Sequence, residues 1–326
     1  RFTNGHVAAT NTARGCGRTD VRARQIRAMT VRSISTTSPS DPRALLAAPA
    51  PRALLAVPDT RVLLADRHYS LLVGASPDHA RAAQRLRADV FGSEPGFAAA
   101  SFADGLDVDR YDEHCDHLLV VENETDAVVG CYRMLTPAGA ERAGGYYTAT
   151  EFDISELRAF ELGTVEMGRA CVDREHRSGA VLALMWSGIL RYLDLGGHDR
   201  VMGCVSVPMD LGDGAPVGAH VRGVRDLVSA RHRSARRAYP RTPVRVDGVD
   251  LQDIAPPART TVPPLLRGYL RMGASICGEP AHDPEFGVAD FVALLHMADA
   301  NVRYLDRLRS AAGAVPERTP TTGGDR

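Results

Sequence analysis

Apolar residues along the chain recur with two different periods, and the alternation between them predicts the elements. Tyr69–Val73 is a short apolar run that reads as a strand. Ser76, Pro77 and Asp78 then supply a cap, a proline at the first helical position and an early acid. Ala83, Leu86 and Val90 follow at helical spacing, which predicts a helix to about Phe91. His117–Val121 and Ala127–Leu135 are β-rich runs around a polar turn, the pattern of a hairpin. Gly163–Val172 reads as a strand and Ala180–Leu195 as a strong helix. That helix has Leu182, Met185, Trp186, Ile189, Leu190 and Leu193 on one broad face, and Gly196-Gly197 stops it. Val201–Val207 reads as a further strand, Met272–Cys277 as a short one and Ala289–Leu308 as a single helix. The order predicts an α/β protein with a mixed sheet flanked by helices.

The chain has 326 residues, 44% hydrophobic and 24% charged, with a formal net charge of -1, which suits a sizeable core. The ends are expected to differ from the middle. Residues 1–65 carry ten arginines against three acids, and Pro42-Arg-Ala-Leu-Leu-Ala-Ala-Pro is followed by the near-copy Pro51-Arg-Ala-Leu-Leu-Ala-Val-Pro. Residues 1–66 therefore read as a disordered basic extension, with a membrane-surface arm as the alternative. Residues 67–310 read as one folded domain with an enlarged C-terminal part, and 311–326 as a disordered tail. No run approaches the about 18 to 20 apolar residues of a membrane span.

Every one of the 39 basic residues is arginine. The lack of lysine excludes Schiff-base chemistry, a Walker A loop and a protein-kinase site. None of the six cysteines forms a Cys-x-x-Cys pair or has zinc-finger spacing, which points to a reducing, cytoplasmic setting. No metal is expected, since no ordered Asp-x-Asp-x-Asp-Gly loop occurs, and no nucleic acid, since the charge is balanced and aromatics are few.

Five groups of residues carry candidate chemistry. Arg87 and Phe91 share a helix face at i and i+4. Asp109-Arg-Tyr-Asp112 is an acidic approach to a strand, suited to an amine or cation and equally to a solvated loop. Arg133 lies within the apolar strand Gly130-Cys-Tyr-Arg133-Met-Leu135 and needs a partner or an anion. Glu166-Met-Gly-Arg169 places two opposite charges inside a strand, where i and i+3 face opposite sides unless a bulge re-aims them. Arg174-Glu-His-Arg177-Ser-Gly179-Ala180 is a turn before a long helix, a place where backbone N–H groups bind phosphate.

The succession of strand, helix, acidic loop, hairpin, strand with a glutamate, arginine-rich turn, long helix and strand resembles the GNAT superfamily, the acyl-CoA N-acyltransferase fold. In that superfamily the turn is Arg/Gln-x-x-Gly-x-Gly/Ala. Arg174 fits its first position and Gly179 its last, whereas Arg177 replaces the first glycine. Leu86-Arg-Ala-Asp-Val-Phe91, Asp109-Arg-Tyr-Asp112, Gly130–Leu135 and Glu166–Arg169 resemble, in order, the signature of acyl-homoserine-lactone synthases. Asp112–Val121, Met167–Ala180, Gly203–Ser206 and Cys277–Phe286 are more similar to a sister group, the hemolysin-like bacterial ornithine N-acyltransferases.

The resemblance implies transfer of a fatty acyl chain, including 3-hydroxylated ones, from acyl carrier protein to the α-amine of ornithine, the first step toward ornithine lipid. Acyl-CoA is a second candidate donor, and no resident cofactor is expected. Glu166 would be the general base, with Arg169 beside it. Arg87, Phe91, Asp109, Asp112 and Arg133 would shape the amino-acid pocket, the carboxylates taking the ammonium and an arginine the α-carboxylate. Cys171, Val172, Arg174, Arg177, Gly179 and Ala180 would hold the pantetheine arm between two splayed strands. A Cys171 acyl-enzyme is the lesser alternative to direct transfer. The eight arginines from Arg222 to Arg245 would meet the acidic carrier or a membrane surface. Two rival readings remain: a homoserine-lactone or other N-acyl amino acid synthase, and a non-catalytic carrier- or lipid-binding module. The long C-terminal third and the lack of tryptophan over 92–103 oppose the signal synthase; retention of Glu166 and Arg169 opposes the idle module.

Overall fold

The central sheet starts from β1 (Arg61–Ala65) and β2 (Tyr69–Gly74), joined by a tight turn in which the Asp66 carboxylate accepts the N–H groups of His68 and Tyr69. β3 (Asp116–Glu122) and β4 (Val128–Leu135) form the hairpin around the polar turn. Two residues form β5 (Phe152–Asp153), and the long strands β6 (Thr164–Val172) and β7 (Arg200–Pro208) follow. Short strands β8 (Tyr239–Pro240), β9 (Arg245–Val246), β10 (Val249–Asp250), β11 (Ser275–Ile276) and β12 (Ala281–Asp283) precede the long β13 (Val288–His296). The main sheet runs β1-β2-β3-β4-β6-β7-β13-β11, with β12 also on β13; β6 and β7 are parallel and its other pairs antiparallel. This computed structural model describes residues 54, 57, 59–93, 102–177 and 179–311, all within Ala47–Arg326, the second of two units into which the chain divides.

Helices cover both faces because the strands bury both. Leu71 and Val73 point to one side of β2 and Leu72 to the other, as a period of two requires. The first side takes the Gly179–Gly196 helix, with Trp186, Ile189 and Leu193, and beside it the Pro264–Met272 and Val302–Ala311 helices. The second takes the Pro77–Phe91 helix, with Ala83, Leu86 and Val90; the Ser76 side chain accepts the His79 N–H at its start, and Pro77 opens it. No helix among the described residues is long and apolar enough to cross a membrane.

Two expectations need correction. The domain opens before residue 67: β1 pairs with β2, and Leu63 and Leu64 are buried, apolar anchors that the surrounding arginines and prolines mask in the sequence. The remainder of the extension, 1–53, and the tail, 312–326, lie outside the described residues. Ala289–Leu308 is not one helix. It divides into β13, a 3-10 turn at Met297–Asp299 and the Val302–Ala311 helix. β13 pairs with β7 along its whole length and is mostly buried, so it shows the continuous apolar run that periodicity cannot assign to strand or helix.

Gly203 on β7 sets how closely the parallel pair can approach, since a Cβ there would run into the Met167 carbonyl oxygen of β6. Backbone cannot step aside as a flexible side chain can. Gly203→Ala is expected to destabilise the fold by about 1–3 kcal/mol, read as a lower urea midpoint at unchanged m-value; an unchanged midpoint would show that the strands separate freely.

Candidate active site

β6 and β7 pair only over Thr164–Glu166 and Arg200–Met202. Beyond these residues the strands part, so Glu166 stands at the apex of a split in the sheet. On its other side β6 carries a bulge: Cys131 faces Cys171 and Arg133 faces Gly168, leaving Arg169 and Ala170 opposite Tyr132 alone. Arg169 takes up the extra length at φ +52°, a left-handed conformation costing a non-glycine residue of order 1–2 kcal/mol. The bulge brings Arg169 and Glu166 around one residue, Tyr147. The Arg169 guanidinium carbon lies 6.0 Å from the Tyr147 ring centre, and the Tyr147 N–H donates to Glu166.

The Glu166 carboxylate is buried and gripped from one side. Oε2 accepts the Tyr147 N–H at 2.6 Å; Oε1 accepts the Thr148 N–H at 2.7 Å and the Thr148 hydroxyl at 2.5 Å. Burial pushes its pKa above the ordinary value, against the opposing pull of these donors and of Arg133. A carboxylate oxygen has two acceptor directions, so Oε2 keeps one for a proton from outside.

Beside it three arginines meet three aspartates. Arg87 is fully buried. Its Nε reaches Asp107 at 2.8 Å, and its two terminal nitrogens grip the Asp112 carboxylate at 3.0 and 2.7 Å. Arg133 pairs with Asp109 at 2.5 Å and with Asp112 at 3.4 Å. Arg169 pairs more loosely, at 3.4 Å to Asp109 and 3.7 Å to Asp107. Burial alone would raise the pKa of Asp112, but the hydrogen bonds and charge of Arg87 outweigh it and hold the carboxyl well below the usual range. Asp109 is likewise lowered, chiefly by Arg133 working against burial.

This arrangement gives two of the acids partners within the protein. Asp112 also accepts from Gln84 and from the Asp109 N–H, so its oxygens are saturated. Asp112 and Asp109 are the counter-ions of Arg87 and Arg133, and an ammonium would have to displace a guanidinium to reach them. The sequence does not show this because Arg87 lies on a different element, 25 residues from Asp112.

A cavity of about 640 Å³ occupies the split, walled largely by apolar groups. Phe91, Arg133, Glu166, Arg169, Cys171, Val172, Arg177 and Gly179 line it, whereas Arg87, Asp109, Asp112, Arg174 and Ala180 do not. Arg174 donates to the Ser93 carbonyl and Arg177 to the Val172 carbonyl, and Gly179 opens the long helix at the cavity mouth. The Cys171 thiol is raised well above its ordinary value, first by burial and then by Cys131, whose sulfur is 3.5 Å away. That opposes a thiolate nucleophile.

A second, more polar cavity of about 360 Å³ shares Tyr147, Arg169, Asp283 and Phe286 with the first. Asp109 and Glu151 line it. At the junction the carboxylates of Glu151, Asp283 and Asp290 come within 4.8 Å of one another. Sequence reasoning missed these acids, and Tyr147 and Thr148 with them. Glu151 lies in a segment without a motif, and Asp283 and Asp290 come from distant strands. Only Asp290, a charge within the apolar run of β13, carried a readable signal.

Residues 86–187 match the acetyltransferase (GNAT) domain family. An L-ornithine N(alpha)-acyltransferase of Brucella abortus (strain 2308) is 34% identical over 242 residues, 69% of this chain and 83% of that protein. The chain belongs to the L-ornithine N(alpha)-acyltransferase family. Another member, from Rhizobium meliloti (strain 1021), is 35% identical over 71% of this chain and 81% of its own. A solved CoA-dependent acyl-homoserine lactone synthase, holding SAM and isopentyl-CoA, aligns with TM-score 0.40 at 16% identity, over 72% of this chain and 81% of that one. The GNAT-like fold and an acyltransferase activity follow from membership.

Removing Arg87 would strand two buried carboxylates. Arg87→Leu is expected to cost about 3–5 kcal/mol in urea denaturation; a loss under 1 kcal/mol would make the network dispensable. Because Asp109 and Asp112 are depressed in the folded state, their contribution is complete above the ordinary aspartate pKa of about 3.9 and disappears as pH falls toward the folded values. Wild-type stability is therefore expected to fall steeply below about pH 4, and the Asp112→Asn variant less steeply.

Proposed function

We propose that this protein moves a fatty acyl chain from the phosphopantetheine thioester of acyl carrier protein to the α-amine of ornithine, with acyl-CoA as an alternative donor. One observation carries the reading: a buried carboxylate, Glu166, with a free acceptor direction at the apex of a split sheet and on the wall of a largely apolar cavity.

The acyl chain and pantetheine arm occupy the larger cavity, against Phe91, Cys171 and Val172, with Arg177 and the helix start at Gly179 near the arm's phosphate. Ornithine's α-amine, with a pKa of about 8, is mostly protonated at neutral pH. Glu166 Oε2 takes the proton, directly or through one water, and the nitrogen attacks the thioester carbon. The N–C bond forms and the C–S bond breaks; of the two protons that the ammonium nitrogen loses, the first passes through Glu166 to solvent and the second leaves on the sulfur as the thiol. The bulge at Arg169–Ala170 frees backbone N–H groups from the β4 ladder, and one of these meets the oxyanion. Arg133 lines the pocket, whereas Arg87, Asp109 and Asp112 act through it, as positioning residues. The carrier's acidic surface docks near the arginine-rich segment 222–245. There Arg222 and Arg225 already pair with Asp226, Arg225 also with Glu279, and Arg245 with Asp250, which leaves a weaker basic field than the sequence suggests.

Incubation with acyl-ACP and a panel of amino acids, read by mass spectrometry, is expected to give N-acyl-ornithine; no product with any amine would return the protein to the idle-module reading. Glu166→Gln is expected to lower turnover about 10²–10⁴-fold in a folded protein, and an unaffected rate would remove Glu166 as base. Only the ionised carboxylate accepts the proton, and burial raises its pKa. The wild-type rate is therefore expected to climb with pH through an apparent pKa above the ordinary glutamate value of about 4.3, a limb that the Gln variant lacks.

A further inference from the structure

The charges around the two cavities do not balance, and the imbalance has one location. Arg87, Arg133 and Arg169 are matched by Asp107, Asp109 and Asp112. Glu166 is met by three donors at its two oxygens. Glu151, Asp283 and Asp290 have no such compensation: among the described residues no arginine or histidine lies within ion-pair distance of any of them. Asp290 is 4% exposed, and the Ser206 hydroxyl donates to its Oδ1 at 2.6 Å. Asp283 Oδ1 caps the turn at Glu285 and Phe286. The Glu151 carboxylate is the extreme case: both its oxygens are sealed from solvent, no cation faces them, and its compensation comes only from neutral neighbours, the Tyr147 hydroxyl first. Acids buried this close together without a cation are unfavourable, because each loses hydration and like charges repel. The three acids gather where the cavities meet, next to Arg169, and Asp283 lines both.

Resting on the reading above, we propose that Glu151, Asp283 and Asp290 form the subsite for the side-chain ammonium of the acceptor amino acid, with Arg169 receiving its α-carboxylate. An ammonium brings three N–H donors and a positive charge to three clustered acids that no cation of the protein pairs. Arg169 is suited to the opposite pole, because it lines both cavities and its own pairs, at 3.4 and 3.7 Å, are the loosest of the three arginines. A site with both poles selects a dibasic amino acid: a neutral side chain leaves the acids unpaired, and a site built to pair a polar group rejects analogues lacking it.

Calorimetric titration without acyl donor tests this independently of turnover, using ornithine and norvaline, which has the same carbon chain without the δ-ammonium. Wild type is expected to prefer ornithine at least 10-fold. Asp283→Asn and Glu151→Gln, each checked for a native urea midpoint, are expected to reduce that preference at least 10-fold. In turnover assays both are expected to raise KM for ornithine far more than they lower kcat. Unchanged preference in both folded variants would overturn the proposal. So would loss of ornithine binding on chelation and its return with Ca²⁺ or Mg²⁺, which would make the cluster a metal site. Preferential binding of ornithine through these acids without acylation would leave the subsite standing and remove the proposed reaction.

Discussion

The buried guanidinium of Arg87 is the constraint on which the site depends. It projects from the Pro77–Phe91 helix and ties the segment 107–112 to the sheet through Asp107 and Asp112. Arg133 joins from β4 and Arg169 from β6, so one helix, one loop and two strands meet in a single charge-balanced layer. A charge this deep is tolerated only when paired and fully hydrogen-bonded. The layer is therefore rigid, and it forms one side of the space into which Glu166 faces. The aspartates that read as ligands in the sequence are part of the frame.

The second organising feature is the double character of β6. On one edge it parts from β7 after Glu166, opening room for a ligand; on the other it bulges against β4, re-aiming Arg169. A regular strand would have sent Glu166 and Arg169 to opposite faces. The strain at Arg169 and the close contact at Gly203 lie on either side of the same opening. The backbone is irregular beside the cavity, whereas β13 pairs with β7 without a break.

Much of this was legible in advance where local signals agreed. The Pro77–Phe91 helix had a cap, a proline and a helical stripe; the hairpin had two apolar runs about a polar turn; the long helix had a broad face and a Gly-Gly stop. The family followed from motif order, and Arg133, Glu166 and Arg169, named with it, line the larger cavity. What sequence could not supply was pairing across space. Asp112 looked available because Arg87 sits on another element. β13 looked helical because burial on both faces erases alternation. Glu151 was invisible because its importance comes from Asp283 and Asp290, more than 130 residues away.

The short helix Thr148–Glu151 links these regions in a further way. Its first turn gives the N–H and hydroxyl of Thr148 to the Glu166 carboxylate, and its last residue contributes Glu151 to the other acids. Arg241 pins it from the C-terminal third, its Nε donating to the Ala149 carbonyl and its backbone N–H to that of Glu151, while β5 and β8 pair alongside. Four residues thus carry both the grip on the Glu166 carboxylate and part of the wall facing the second cavity. Neither can be re-aimed alone. Lineages that change what enters the second cavity must either leave this turn intact and vary Asp283 or Asp290, or rebuild the support of Glu166 at the same time, and the enlarged C-terminal third is bound to whichever course they take.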